Sequence, residues 1–220
     1  MIKAVLFDFD NTLGNREVYA YDCYRDLVMK QYPEKDPVET EAIVQAAMLA
    51  DEQGITNKAY VNEVIRKKYG RPLFQYDPNE EWSHLLHHYT VLFDDAMETI
   101  LTLKKKYLLG IITNGTSHGQ HNKIRKAGIE DLMDVIVVSD DVKVSKPDPK
   151  IFEITAEKLG VLPEECVYVG DIYSSDVIGS YRAGMHPVWI WVFGNRKNTS
   201  PIPQISRISE LIELLEKGLR

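Results

Sequence analysis

Asp8 and Asp10 stand two residues apart, directly behind a short apolar run. Two carboxylates so close titrate apart. A cation beside one keeps it ionised, while the other, against a less polar wall, holds a proton at neutral pH, which gives one nucleophile and one general acid/base. Successive side chains alternate along a strand, but the turn that follows lets both acids approach one pocket. Asp171 and Asp176 add carboxylates from another part of the chain. Hard oxygen donors that leave a coordination shell incomplete suit Mg²⁺, which keeps several waters and accepts a phosphate oxygen. Acids alone would repel a phosphate dianion, so something must reverse the local field. Thr113-Asn114-Gly115 offers a hydroxyl and free backbone N–H groups, and Lys146 beside Pro147 offers a cation at a fixed place. Together such groups would clamp a transferring phosphoryl group.

The elements that must carry these residues are visible as periodicity. Residues 2–7 form an apolar run that stops at Asp8, as a buried strand does when it delivers acids to a loop. Runs at 108–112, 135–138 and 167–169 stop at Thr113-Asn114-Gly115, Ser139-Asp140-Asp141 and Gly170-Asp171, and a fifth run covers 188–192. Helix signals lie between them: Asp95 with Glu98, Asp148 before Pro149, and Gly128, Gly160 and Gly184 as stops. Alternating strand and helix predicts an α/β fold with a parallel sheet, right-handed crossovers and helices on both faces. In open sheets of that kind ligands bind beyond the carboxyl ends of the strands, where four strand ends here carry Asp, Thr/Asn, Asp and Asp.

Residues 17–92 break the alternation. They show helical patterns alone, marked by Asp36-Pro37 with Glu39, by Thr56 before a stretch closing at Gly70, and by Asp77-Pro78 with Glu80. The expected organisation is therefore a catalytic core of residues 1–16 and 93–220, interrupted by an all-helical unit of residues 17–92. A last helix is expected at 209–219.

Composition narrows the function classes. A length of 220 residues allows one large domain or a core with an insertion. With 26 basic against 33 acidic residues the net charge is −7, and no basic cluster exceeds Lys104-Lys105-Lys106, so no nucleic-acid partner is expected. No apolar stretch approaches the roughly 20 residues that span a bilayer, so no membrane association is expected. Cys23 and Cys166 lack a partner motif, and the N-terminus shows no charged-then-apolar leader; a reduced, cytoplasmic protein is expected.

Asp8-Phe9-Asp10-Asn11-Thr12-Leu13, Thr113-Asn114-Gly115, Lys146-Pro147-Asp148-Pro149 and Gly170-Asp171 with Asp176 resemble, in order, the four motifs of the haloacid dehalogenase-like hydrolase superfamily. That resemblance implies a Rossmann-like core with an inserted helical cap and Mg²⁺-dependent hydrolysis of a small phosphorylated metabolite. It implies Asp8 as the nucleophile that becomes an aspartyl-phosphate, and Asp10 as the group that protonates the leaving oxygen and then activates water. Thr113 and Lys146 would hold the phosphoryl oxygens, with Asn114 and Gly115 contributing to substrate binding. Asp8, the backbone carbonyl of Asp10, and Asp171 would hold Mg²⁺, Asp176 supporting through the metal's waters or through Lys146. Many relatives carry Asn where this chain has Ser175. The stretch from Thr113, with Gln120 and Lys123, is similar to the branch of nucleoside monophosphate and acylneuraminate phosphate phosphatases. A phosphomutase would use the same motifs; a dehalogenase would have no use for a second acid, because chloride leaves without a proton. A non-catalytic member would be expected to lack a motif acid. Substrate selection is expected near 16–25 and 54–60, and a monomer or homodimer is expected.

Other chemistry-bearing residues read more plainly. Asp176 is open between metal support and capping a helix start. His84 and His88 have the i, i+4 spacing of a metal pair, with His87 adjacent, but no further ligands lie nearby, so they read as a helix face. His118 and His121 fit local turn and helix roles. Tyr19, Tyr21, Tyr24 and Tyr60 at helical spacing, and Trp189 and Trp191 in a strand, read as packing.

Overall fold

Each apolar run of the core becomes a strand because both of its faces find a cover. The computed structural model describes residues 1–218. It begins with β1 (Ala4–Phe7), α1 (Arg16–Gln31), α2 (Pro37–Asp51), α3 (Lys58–Tyr69) and α4 (Pro78–Leu85). Then come α5 (Ala96–Leu103), β2 (Leu108–Thr113), α6 (Ser117–Lys126), β3 (Val135–Val138), α7 (Ser139–Val142) and α8 (Pro149–Leu159). β4 (Cys166–Gly170) leads through a π-helical turn (Tyr173–Val177) into α9 (Ile178–Arg182), followed by β5 (His186–Ile190), β6 (Gln204–Ile205) and α10 (Glu210–Glu216). Two compact units result: Met1–Asn15 with Leu92–Arg220, and Arg16–Val91.

The first unit holds a six-stranded sheet of order β3-β2-β1-β4-β5-β6, every pair parallel. Side-chain alternation sorts its core into two halves. Val5, Phe7, Leu109, Ile111, Val167 and Val169 share one cluster with Ala96 and Ile100 of α5, Ile124 of α6 and Leu211 of α10. Ala4, Leu6, Ile112, Cys166 and Tyr168 share the other with Ile151, Phe152 and Ala156 of α8. A strand buried on both faces must be apolar at consecutive positions, which is why these runs are continuous. The chain moves from β1 to β2 on one side and returns to β4 on the other, so β1 and β4 flank the switch point where such sheets hold ligands.

The second unit is built on α1–α4, whose core gathers Tyr19, Tyr24, Val44, Ile65, Phe74 and Trp82. Trp82 stacks on Tyr24 with ring centroids 4.5 Å apart. Asp36 and Asp77 cap α2 and α4, each accepting two backbone N–H bonds ahead of a proline at the first helical position. Inside this core Asp51 accepts from Arg16 at 2.6 Å and from the Tyr24 hydroxyl at 2.9 Å, and it also pairs with Lys58. Burial raises the Asp51 carboxyl, but Arg16 and Lys58 outweigh it and hold the group below its ordinary range.

Several local expectations shift. Asn57, not Thr56, caps α3, because its side chain reaches the Ala59 N–H. Asp95 caps nothing with its side chain; its carboxylate instead accepts from Ser209 N and Oγ at 3.0 and 2.7 Å, joining α5 to the start of α10. The fifth strand starts at His186, and the two-residue β6 gave no sequence signal. The expected end of the last helix at Leu219 lies outside the described residues. Tyr19 and Tyr24 are core as expected, whereas Tyr60 is exposed and Tyr21 donates to Glu41 at 2.6 Å. Among the described residues no helix is long and apolar enough to cross a membrane.

Candidate active site

Asp8 directly follows β1 and has the parity of Leu6, so it faces the half of the core that also holds Tyr168. Lys146 comes from the loop before α8, its peptide bond to Pro147 cis. Its amine lies 2.6 Å from Asp8 Oδ1, 2.7 Å from Asp176 Oδ1 and 3.0 Å from the Tyr168 hydroxyl, with all four residues buried. Asp171, just past β4, completes the acidic group. Asp8, Asp171 and Asp176 each offer an oxygen within 4.8 Å of the others'.

Three neighbouring buried carboxylates face one ammonium, which bonds two of them, and the titration follows from that ratio. Burial is the largest influence on Asp8; Lys146 opposes it, Asp176 and Asp10 reinforce it, and the carboxyl rises to about 7. Burial, then Asp8 and Asp176, push Asp171 well above its ordinary value. For Lys146 burial acts downward, but Asp176 and Asp8 more than reverse it and the amine stays charged. Such a cluster fits a divalent cation. Asp171 Oδ1 is buried without a hydrogen-bond partner, which costs about 1–3 kcal/mol, and a hard cation among carboxylate oxygens would satisfy it. Asp176 is differently placed: Oδ1 accepts from Lys146 and from Tyr168, and Oδ2 accepts from Ile172 N at 2.9 Å. It lies in the π-helical turn, where it orients Lys146.

Asp10 does not join this trio. Its carboxylate is held from α6, where Lys123 pairs with Oδ2 and Gln120 Nε2 donates to the same oxygen at 3.1 Å. The two acids of the first motif therefore each have a lysine, where one paired and one apolar environment was expected. Thr113 ends β2 and is buried. Asn114 makes a two-way amide clasp with Lys146, donating to its carbonyl at 3.0 Å and accepting from its N–H at 2.9 Å. Gly115 differs from expectation, because its N–H is engaged by Ser139 Oγ at 3.0 Å.

Sequence reasoning missed three supporting residues. Tyr168 donates to Asp176 Oδ1 or the Ile112 carbonyl, and burial lifts its phenol well above the ordinary range. Its signal was a hydroxyl in an otherwise apolar strand. Trp189, read as packing, also donates its indole N–H to the Asp171 carbonyl at 2.8 Å. Asn11, buried at a positive φ after Asp10, acts to lower the Asp171 carboxyl, a role its place in a tight turn concealed. Gly170 supplies room, since a Cβ there would lie 2.9 Å from Asp176 Oδ1 and closer still to its carboxyl carbon. His121 of α6 meets Asp141 of α7 at 2.8 Å, and the His87 and His88 rings lie 4.0 Å apart. Among the described residues Asp8, Asp171 and Asp176 form the one acidic, histidine or cysteine group spaced for a metal.

Residues 5–190, which include every group just placed, match the family described as haloacid dehalogenase-like hydrolase. The chain belongs to this hydrolase family. Within it, the chain is 30% identical to a glyceraldehyde 3-phosphate phosphatase of Methanopyrus kandleri, over 99% of this chain and 98% of that one. It is 34% identical to the N-acylneuraminate-9-phosphatase of Mus musculus over 61% of this chain and 56% of that one. Among solved structures, the crystal structure of a haloacid dehalogenase-like phosphatase from Thermococcus onnurineus is 30% identical with a TM-score of 0.66, covering 97% of this chain and 98% of that one. The parallel sheet flanked by helices is the Rossmann-like fold of these hydrolases.

Proposed function

We propose that this haloacid dehalogenase-like hydrolase is a Mg²⁺-dependent phosphatase of small phosphate monoesters. The observation that carries the reading is the clustering of Asp8, Asp171 and Asp176, two of them bonded to Lys146, with Asp10 engaged separately by Lys123. Mg²⁺, held by Asp8, the Asp10 carbonyl and Asp171, would offset the carboxylate charge and draw electron density from the phosphoryl oxygens.

A carboxylate oxygen of Asp8 attacks phosphorus, the bond from phosphorus to the leaving oxygen breaks, and Asp10 gives that oxygen a proton. Water then attacks the aspartyl-phosphate while Asp10 takes the water's proton, releasing phosphate and restoring Asp8. Lys146 and Thr113 hold the phosphoryl oxygens, and Asn114 acts through the Lys146 main chain. A positioned second acid serves an alkoxide leaving group and is idle for a halide.

Similarity to the Methanopyrus kandleri enzyme extends over nearly the whole chain, so glyceraldehyde 3-phosphate heads the candidate substrates, followed by N-acylneuraminate 9-phosphate. The test is phosphate release from these two, a nucleoside monophosphate and p-nitrophenyl phosphate, with and without Mg²⁺. Turnover that requires the metal supports the reading. A folded chain that releases no phosphate from any of them overturns it.

A further inference from the structure

α6 presents an anomaly that the chemistry above does not use. The face it buries consists of Gly119, Gln120, Lys123 and Ile124, so two of the four are a long amide and a lysine. Lys123 is 4% exposed and Gln120 5%. Lysine is almost never buried to that degree without a partner, and burying it unpaired would cost several kcal/mol. Both side chains converge on one atom. Three residues apart and hence neighbours on the helix, they place an ammonium and an amide N–H on Asp10 Oδ2.

The amide is itself held. Gln120 Nε2 also donates to the Asn114 carbonyl at 2.9 Å, which ties the grip on Asp10 to the loop that clasps Lys146. Gly115 makes the approach possible: its φ is +146°, and a Cβ there would lie 2.7 Å from Gln120 Nε2. At the helix N-terminus Thr116 caps α6 by accepting from Gly119 N at 3.1 Å, so the turn carrying Gln120 is fixed as well. The Lys123 amine also sits 5.7 Å above the Phe9 ring, on the residue preceding Asp10.

We infer that Lys123 and Gln120 are positioning residues that fix the Asp10 carboxyl in the orientation from which it exchanges a proton with the leaving oxygen and then with water. The inference rests on the phosphatase reading and deepens it. A general acid outside hydrogen-bond reach of the oxygen it protonates loses its effect, and that effect is worth about 10²–10⁴-fold. The deficit is selective, because an alkoxide needs the proton and p-nitrophenolate does not.

The experiment compares kcat/KM for an alkyl phosphate and for p-nitrophenyl phosphate in the parent, in Lys123→Ala, Lys123→Arg and Gln120→Ala, and in the Asp10→Asn background. Lys123→Ala is expected to lower the alkyl value at least about tenfold more than the aryl value. Lys123→Arg should recover part of that loss, and Gln120→Ala should show the same selectivity more weakly. With Asp10→Asn present, Lys123→Ala should add little, since residues acting as a unit are not additive. Equal losses on both substrates, or full additivity with Asp10→Asn, would overturn the positioning role while leaving the phosphatase reading intact. A folded parent without turnover overturns both. If Lys123→Ala does not fold, selectivity in Gln120→Ala and Lys123→Arg decides.

Discussion

Each unit of this protein buries a small knot of charges, and the two knots are made in opposite proportions. In the helical unit one carboxylate, Asp51, is held by two cations, Arg16 and Lys58, and by a tyrosine hydroxyl. In the sheet unit Asp8 and Asp176 share Lys146, the Tyr168 hydroxyl reaches Asp176, and Asp171 lies within 4.8 Å of both acids with no cation of its own in contact among the described residues. Their titration separates accordingly: Asp51 is held low, whereas Asp8 and Asp171 are pushed up. A buried acid surrounded by cations has all it needs from the chain and ties helices together. An acid group outnumbering its cations is unfinished as protein, and that shortfall is what makes it suited to a metal and a phosphoryl group.

The contrast breaks most sharply at Asp8. Asp8→Asn should lower kcat by at least about 10⁴-fold, as loss of a nucleophile does, while the thermal midpoint in metal-free buffer stays the same or rises because a crowded negative charge has gone. A drop in stability comparable to the loss of rate would make Asp8 a structural ion like Asp51. Conversely, Asp51→Ala strands two buried cations and should cost about 3–5 kcal/mol in urea unfolding. Unchanged stability there would mean that the knot in the helical unit holds nothing together.

A third effect lies in the pH dependence. Asp8 has a folded pKa near 7 against 3.8 when free, so the metal-free folded chain binds an extra proton between those values and loses stability as the pH rises from 3.8 to about 7. The unfolding free energy of Asp8→Asn relative to the parent should therefore grow across that window, by at most about 1.4 kcal/mol per pH unit. Asp51 has the reverse sign: its contribution is present above its unfolded value and is lost as acid takes the pH through its lowered folded value. A difference between Asp8→Asn and parent that stays flat from pH 4 to 7 would remove Asp8 from the comparison.

Much of this was legible in the chain. The strand ends were readable because a run such as 108–112 must be apolar on both faces and then meets polar residues abruptly, and the acids after β1 and β4 were readable because they stand at such ends. Helix starts at Asp36, Asp77 and Asp148 were readable because an Asp-Pro pair admits few other conformations. What stayed hidden depends on parity and distance together. Tyr168 looks like one more large residue in a strand until the register Leu6↔Tyr168 brings it beside the residue that precedes Asp8 by two. Lys123 looks like part of a basic surface with Arg125 and Lys126 until α6 turns it inward onto a residue 113 positions away. Asp51 ends α2 with no local sign of the cations that meet it from α1 and α3.

The bare α-carbon at position 170 carries a mechanical consequence. Replacing it by alanine would drive a methyl into the Asp176 carboxyl, and Asp176 is what steers the Lys146 amine toward Asp8. The insult would pass along that chain of three side chains like a displaced lever, so the tolerance for an added atom in the sheet is set by the reacting centre.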